Sequence, residues 1–195
     1  DGLVNGDPRK LIHMFDTTKE DLKAILRTVH EGKLQLPDFQ RDYVWNDSDV
    51  RSLIASIAKG FPVGALLTLQ TGGDVNFKPR LIAGVPAKTI EPELLLLDGQ
   101  QRITSLYQSM FSTDAVVTKN DKDKRIERFY YLDIKAAVES GADLEEAIVG
   151  VPADRIVRTN FGKDIELDLS SAEREFENDL FPLNQVFDNR DWLYA

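Results

Sequence analysis

The sequence has no cysteine and only two histidines, His13 and His30, in 195 residues. Disulfides, zinc–thiolate centres and thiol nucleophiles are therefore excluded, and the two imidazoles lack metal-ligand spacing. The absence of cysteine suits a cytoplasmic protein, and we expect that location. No apolar run approaches the roughly 18 residues of a membrane span, so no membrane role is expected. The polar start, residues 1–10, carries no signal-peptide pattern. Positive charge is in deficit: 24 Lys and Arg stand against 33 Asp and Glu, a net charge of −9. A protein that coats nucleic acid by electrostatics is disfavoured, whereas a narrow basic pocket is not. There is no internal repeat and no low-complexity tract. No serine nucleophile elbow, zincin helix or Walker loop occurs.

What is present is ordinary for a folded domain, with 42% hydrophobic and 29% charged residues. The length predicts one domain, or one with a fragment of another, with a core large enough to need no staples. Thr18 followed by Asp21 opens a helix whose stripe is Leu22, Ile25, Leu26 and Val29, with Gly32 as its stop. His30, in its last turn, reads as a cation near the negative helix end. Leu34 and Leu36 begin a strand, Pro37 is unsuited to a central ladder, and the chain to Trp45 reads as an ordered loop. Asn46 or Asp47 caps a second helix with the stripe Val50, Leu53, Ile54, Ile57 and Ala58. A turn at 61–64 and a strand at 65–69 follow. Residues 75–93 are irregular apart from a short strand at 80–83.

The four leucines 94–97 predict a strand buried on both faces. The period then changes, and Ile103, Leu106, Tyr107, Met110 and Phe111 mark a helix. Paired strands at 115–118 and 128–132 flank a charged turn. Helices are expected at 134–140, capped by Asp133, and at 143–149. Ser170 with Glu173 forms a capping-box pattern opening a helix that carries Phe176, Leu180 and Phe181 and breaks at Pro182. The acidic stretch 173–179 reads as a solvated face. The fold class is mixed α/β (α+β), a small mixed sheet flanked by helices.

Two segments carry chemistry. Asp98-Gly99-Gln100-Gln101-Arg102 lies at the strand-to-helix junction. A helix N-terminus offers free N–H groups and partial positive charge, and Gly99 permits close approach. Arg102 in the first turn opposes the dipole, and a bound phosphate would resolve that conflict. The competing reading is a capping box between Asp98 and Gln101, with Arg102 paired on the surface. The second segment is Pro37-Asp38-Phe39-Gln40-Arg41-Asp42-Tyr43-Val44-Trp45. Its aromatics either stack a base beside Arg41 or anchor the loop on the core.

Together, Pro-x-Phe-Gln-Arg-x-Tyr-x-Trp, then Gly-Phe-Pro-Val-Gly, then Leu-Asp-Gly-Gln-Gln-Arg-Ile-Thr-Ser-Leu resemble a bacterial family. They are similar to the DGQQR-motif N-terminal domain of GmrSD-type restriction enzymes and of SspE-type phosphorothioate-sensing defence proteins. The resemblance covers about residues 34–111. It implies a ParB/sulfiredoxin-like fold over residues 1–187, with 188–195 beginning a further helical segment of a longer protein. It implies a nucleoside-triphosphate hydrolase that gates a C-terminal nuclease and acts against foreign, often modified, DNA. Carried over by position, Gln40, Arg41, Gly99, Gln100, Gln101 and Arg102 bind nucleotide. Asp98, Gln101 and Arg102 act in catalysis, and Asp98 holds Mg²⁺ or another divalent cation. Partners are the nucleotide, DNA and the nuclease domain, and a homo-oligomer is compatible with this. No nuclease activity is expected of these residues. Two alternatives stand beside this reading: a non-enzymatic module sensing modified DNA, and a scaffold whose motifs are purely structural.

Overall fold

In the computed structural model, which describes residues 18–73, 77–139, 141, 143–188 and 192, the first apolar stripe forms helix α1 (Leu22–His30). The Asp21 carboxylate caps it, accepting from the Ala24 N–H at 3.1 Å. His30 does more than face a helix dipole. Its Nδ1 lies 2.9 Å from the Tyr107 hydroxyl, and its ring packs against Phe111. Strand β1 (Leu34–Pro37) follows, buried along its whole length. Asn46 and Asp49 cap helix α2 (Asp47–Ala58) reciprocally. Its buried face is Val50, Leu53, Ile54 and Ala55; the expected Ala58 is exposed, one turn further on. Strands β2 (Leu67–Gln70) and β3 (Pro79–Arg80) are short. The expected strands at 65–69 and 80–83 are thus displaced. Strand β4 (Leu94–Asp98) and helix α3 (Gln100–Met110) form the strand–turn–helix, with Leu95 and Leu96 fully buried.

The first sheet runs β2-β4-β1-β3. Strands β1 and β4 are parallel and central, and β2 and β3 flank them antiparallel. Pro37 sits at the end of β1 opposite Pro79, where its missing N–H interrupts nothing. Because β1 and β4 are parallel, both end at the same sheet edge, where α3 begins. Leu26, Val29, Leu36, Leu96, Ile103 and Tyr107 pack the main core between α1, the sheet and α3.

The second half is built on one long strand. Strands β5 (Val116–Lys119) and β6 (Arg125–Asp133) form the expected hairpin, with Asn120 Oδ1 accepting from the Lys122 and Lys124 N–H groups in its turn. Helix α4 (Ile134–Val138), capped by Asp133, is shorter than expected. The helix expected at 143–149 does not form. The chain turns there and enters β7 (Ile148–Pro152), which pairs with β6. Its β-branched residues, Ile148, Val149 and Val151, suit a pleated surface better than a helix. Strands β8 (Ile156–Thr159) and β9 (Asp164–Asp168) make a separate hairpin. Helix α5 (Ala172–Glu177) is capped by Ser171 rather than Ser170. It ends before Leu180 and Phe181, which instead form β10 (Leu180–Pro182) against β6. Asp179, at φ +55°, makes the reversal between them.

The acidic run 173–179 is not wholly solvated. Glu175 is buried, accepts from the Tyr131 hydroxyl at 2.8 Å and pairs with Arg155 at 3.1 Å. Burial pushes its carboxyl above the usual range. Among the described residues, no helix is long and apolar enough to cross a membrane. Of the helical segment expected at 188–195, residues 189–191 and 193–195 lie outside the described residues.

Burial also raises the phenol pKa of Tyr43, to about 12, and that of Tyr107, Tyr130 and Tyr131 above its ordinary value. The folded chain therefore holds these protons beyond the pH of about 10 at which an unfolded tyrosine releases them. Stability should be unaffected by this effect near neutrality and should fall as pH rises through about 10. Urea midpoints together with phenolate absorbance test this. Coincident native and unfolded titration curves would contradict it.

Candidate functional site

Beyond Asp38, whose N–H donates to the Lys78 carbonyl, the segment to Trp45 has no strand to pair with, so its backbone groups need other partners. Side chains supply them. Arg80 donates to the carbonyls of Gln40 (2.8 Å) and Arg41 (2.9 Å). Gln100 Nε2 donates to the Arg41 carbonyl at 2.6 Å. Gln101 donates through Nε2 to the Asp42 carbonyl at 3.1 Å and accepts from the Val44 N–H through Oε1 at 2.9 Å. Gln40 ties the segment back to β4, donating to the Leu97 carbonyl at 2.6 Å. Tyr43 meets Ser105 of α3 at 2.9 Å, and Thr118 donates to the Trp45 carbonyl at 2.7 Å.

The β4–α3 junction requires glycine. Gly99 has φ +96°, and a Cβ there would lie 2.4 Å from Leu66 Cδ2. Gly99 also occupies the N-cap position, and no side chain caps α3. The Asp98–Gln101 capping box therefore does not form. Asp98 ends β4, its carboxylate 3.4 Å from Arg102, and Gln101 is committed to segment 38–45. The N–H groups of Gln100, Gln101 and Arg102 consequently have no intrahelical acceptor at the positive end of an 11-residue helix.

Arg102 is not a free cation. It donates to the Val63 carbonyl at 2.6 Å and the Ala65 carbonyl at 2.9 Å, and pairs with Asp98. The carboxylate and the carbonyls relieve the conflict between its charge and the helix dipole. Gly64 belongs to this clasp, because a Cβ there would lie 2.5 Å from Arg102 Nη1. Arg41 differs: it is exposed, and its side chain has no hydrogen bond or ion pair among the described residues.

The structure brings together the residues expected to bind nucleotide, act in catalysis or hold a metal. Gln40, Arg41, Asp98, Gly99, Gln100, Gln101 and Arg102 line one cavity of about 230 Å³, with Trp45 as its one aromatic wall. The aromatics of the second motif divide. Tyr43 is half-buried and hydrogen-bonded, and Trp45 packs against the main core, so both anchor the segment. Phe39 is 60% exposed. Sequence reasoning missed Arg80 and the Val63–Ala65 clasp. Arg80 lies in an aperiodic stretch, while Gly64 after Pro62 signals a turn but not its partner. Among the described residues no group of three His, Cys, Asp or Glu side chains is placed to hold a metal ion. A cation at Asp98 would complete its shell with water and ligand oxygens, as Mg²⁺ commonly does.

The model of the GmrSD restriction endonuclease N-terminal domain matches residues 22–190. Over 171 residues, 84% of the chain, the sequence is 28% identical to an uncharacterized protein of Methanocaldococcus jannaschii. The chain spans 28% of that relative's length.

The two kinds of residue should separate on substitution. Gln101→Ala removes two bonds to segment 38–45 and should cost about 1–3 kcal/mol in urea unfolding. Arg41→Ala removes an unpartnered surface cation and should change stability by no more than about 0.5 kcal/mol. Equal effects would contradict this division.

Proposed function

The chain belongs to the family of the GmrSD restriction endonuclease N-terminal domain, and from that premise we propose that it binds and hydrolyses a nucleoside triphosphate at the head of α3. In a full-length protein this step gates a nuclease outside these residues, in a system directed at DNA. The observation that carries the reading is the uncapped N-terminus of α3, which lies at a polar cavity beside the unpaired Arg41.

The chemistry follows from the parts. The Gln100, Gln101 and Arg102 N–H groups donate to phosphate oxygens, and Gly99 lets those oxygens come close to the backbone. Arg41 has its whole guanidinium available for a bidentate contact. Arg102 adds charge from a fixed position, since the Val63 and Ala65 carbonyls and Asp98 hold it. Gln101, expected among the catalytic residues, has both polar ends engaged and is a positioning residue. Asp98 presents an exposed carboxylate at the cavity. It takes the proton of the water that attacks the terminal phosphorus; the new O–P bond forms as the bridging P–O bond breaks, and the nucleoside diphosphate leaves. Asp98 would also hold a divalent cation, which would supply neutralisation of the phosphates' negative charge.

Thermal unfolding with ATP, GTP, CTP and UTP, with and without Mg²⁺, tests the reading. A nucleotide at about 100 times its Kd should add about 2.7 kcal/mol, a rise of roughly 5–10 °C for a chain of this length. Arg41→Ala should keep the ligand-free Tm and lose most of that rise. No rise with any nucleotide, alongside binding of modified DNA, would instead favour the non-enzymatic DNA-sensing alternative.

A further inference from the structure

We propose that the base of the bound nucleotide lies outside the cavity, stacked on Phe39, and this rests on the phosphate-site reading above. The first argument is size and lining. Pockets that enclose a whole drug-sized ligand span roughly 300–1,000 Å³ and are mostly apolar. This cavity is about 230 Å³, and apart from Trp45 and Gly99 its lining side chains are polar or charged. It suits a phosphate chain and offers little apolar surface to a base. Trp45 is itself partly buried against the main core, with its carbonyl tied to Thr118.

The second argument is position. Ligands of sheets with parallel strands bind beyond the carboxyl ends of those strands. Here that edge holds Gly99 after β4 and Phe39 two residues after the end of β1. Strand β3 runs antiparallel to β1, with Pro79 opposite Pro37, so Phe77 reaches the same edge. The Asp38 N–H donates to the Lys78 carbonyl at 2.9 Å and extends the pairing to these aromatics. Phe39 and Phe77 meet edge to face, with centroids 5.1 Å apart at 70°. Such a contact covers at most one face of either ring, and Phe39 stays 60% exposed and outside the core clusters.

The third argument is rigidity. The next two residues are Gln40 and Arg41, which line the cavity, and Arg80 holds both of their carbonyls. The segment that presents the aromatic ring is thus the one that presents the phosphate-binding cation. A ligand with phosphates at α3 and a flat apolar group at Phe39 would span Arg41. Stacking on one ring tolerates every base, so the four nucleotides should bind within about tenfold of one another.

Calorimetric titration of the chain with Mg²⁺-ATP and with inorganic triphosphate tests the proposal. Truncating an aromatic base platform costs about 1–3 kcal/mol, which is roughly a 5- to 150-fold loss of affinity. Phe39→Ala should weaken ATP by that factor and leave triphosphate unchanged, while Phe39→Tyr should keep both. Equal affinities of ATP and triphosphate for the unsubstituted chain would overturn the proposal and leave the phosphate site standing. So would unchanged ATP binding in Phe39→Ala. Failure of both ligands to bind the unsubstituted chain would overturn both readings.

Discussion

The structure depends on how one unpaired stretch of backbone is satisfied. Beyond the Asp38 N–H, segment 38–45 leaves the sheet with carbonyls and N–H groups that no strand takes up, and the side chains of Gln100, Gln101 and Arg80 take them up instead. Two of these side chains project from the first turn of α3. The helix that offers a positive N-terminus therefore also fixes the loop that carries Gln40 and Arg41. Removing the Gln101 amide would leave a donor and an acceptor without their protein partners, which costs more than a hydrogen bond contributes. The two motifs are in this sense one device. Each supplies residues to the cavity, and each holds the other in place.

A second clasp works from the opposite side. Arg102 reaches across Gly64 to the carbonyls of Val63 and Ala65, and Asp98 lies beside it at the end of β4. The motif arginine thereby shapes the wall of the cavity as well as charging it. Gly99 completes the arrangement, since its conformation and its contact with Leu66 leave no room for a side chain. What stays uncommitted among the described residues is small and specific: three backbone N–H groups, the buried Gln100 Oε1, the Arg41 guanidinium and most of the Asp98 carboxylate.

Much of the frame was legible in the sequence. Four leucines followed by a 3.6-residue period announced β4 and α3, Asp133 was readable as a cap, and the caps of α1 and α2 were legible to within a few residues, as Thr18 with Asp21 and as Asn46 or Asp47. The mixed α/β class and the family followed from that junction and the two motifs. The second half was read less well. Residues 147–149 and 180–181 are short apolar runs, for which periodicity cannot separate helix from strand. Pairing with β6 decided both. Site residues were legible, but their partners were not. Nothing local shows that Gln101 serves residues 42 and 44, or that Arg102 serves residues 63 and 65. The buried Glu175 was hidden for the same reason, because Tyr131 and Arg155 are distant in sequence.

The account divides the DGQQR motif into backbone that meets the ligand and amides that hold the site. Nitrogen-15 NMR of the labelled chain, titrated with the nucleoside triphosphate that stabilises it most, tests this division most directly. The backbone N–H resonances of Gln100, Gln101 and Arg102 should move on saturation, while the side-chain amide of Gln101 should keep its position. Movement of the Gln101 side-chain amide with the three backbone resonances unmoved would contradict the account.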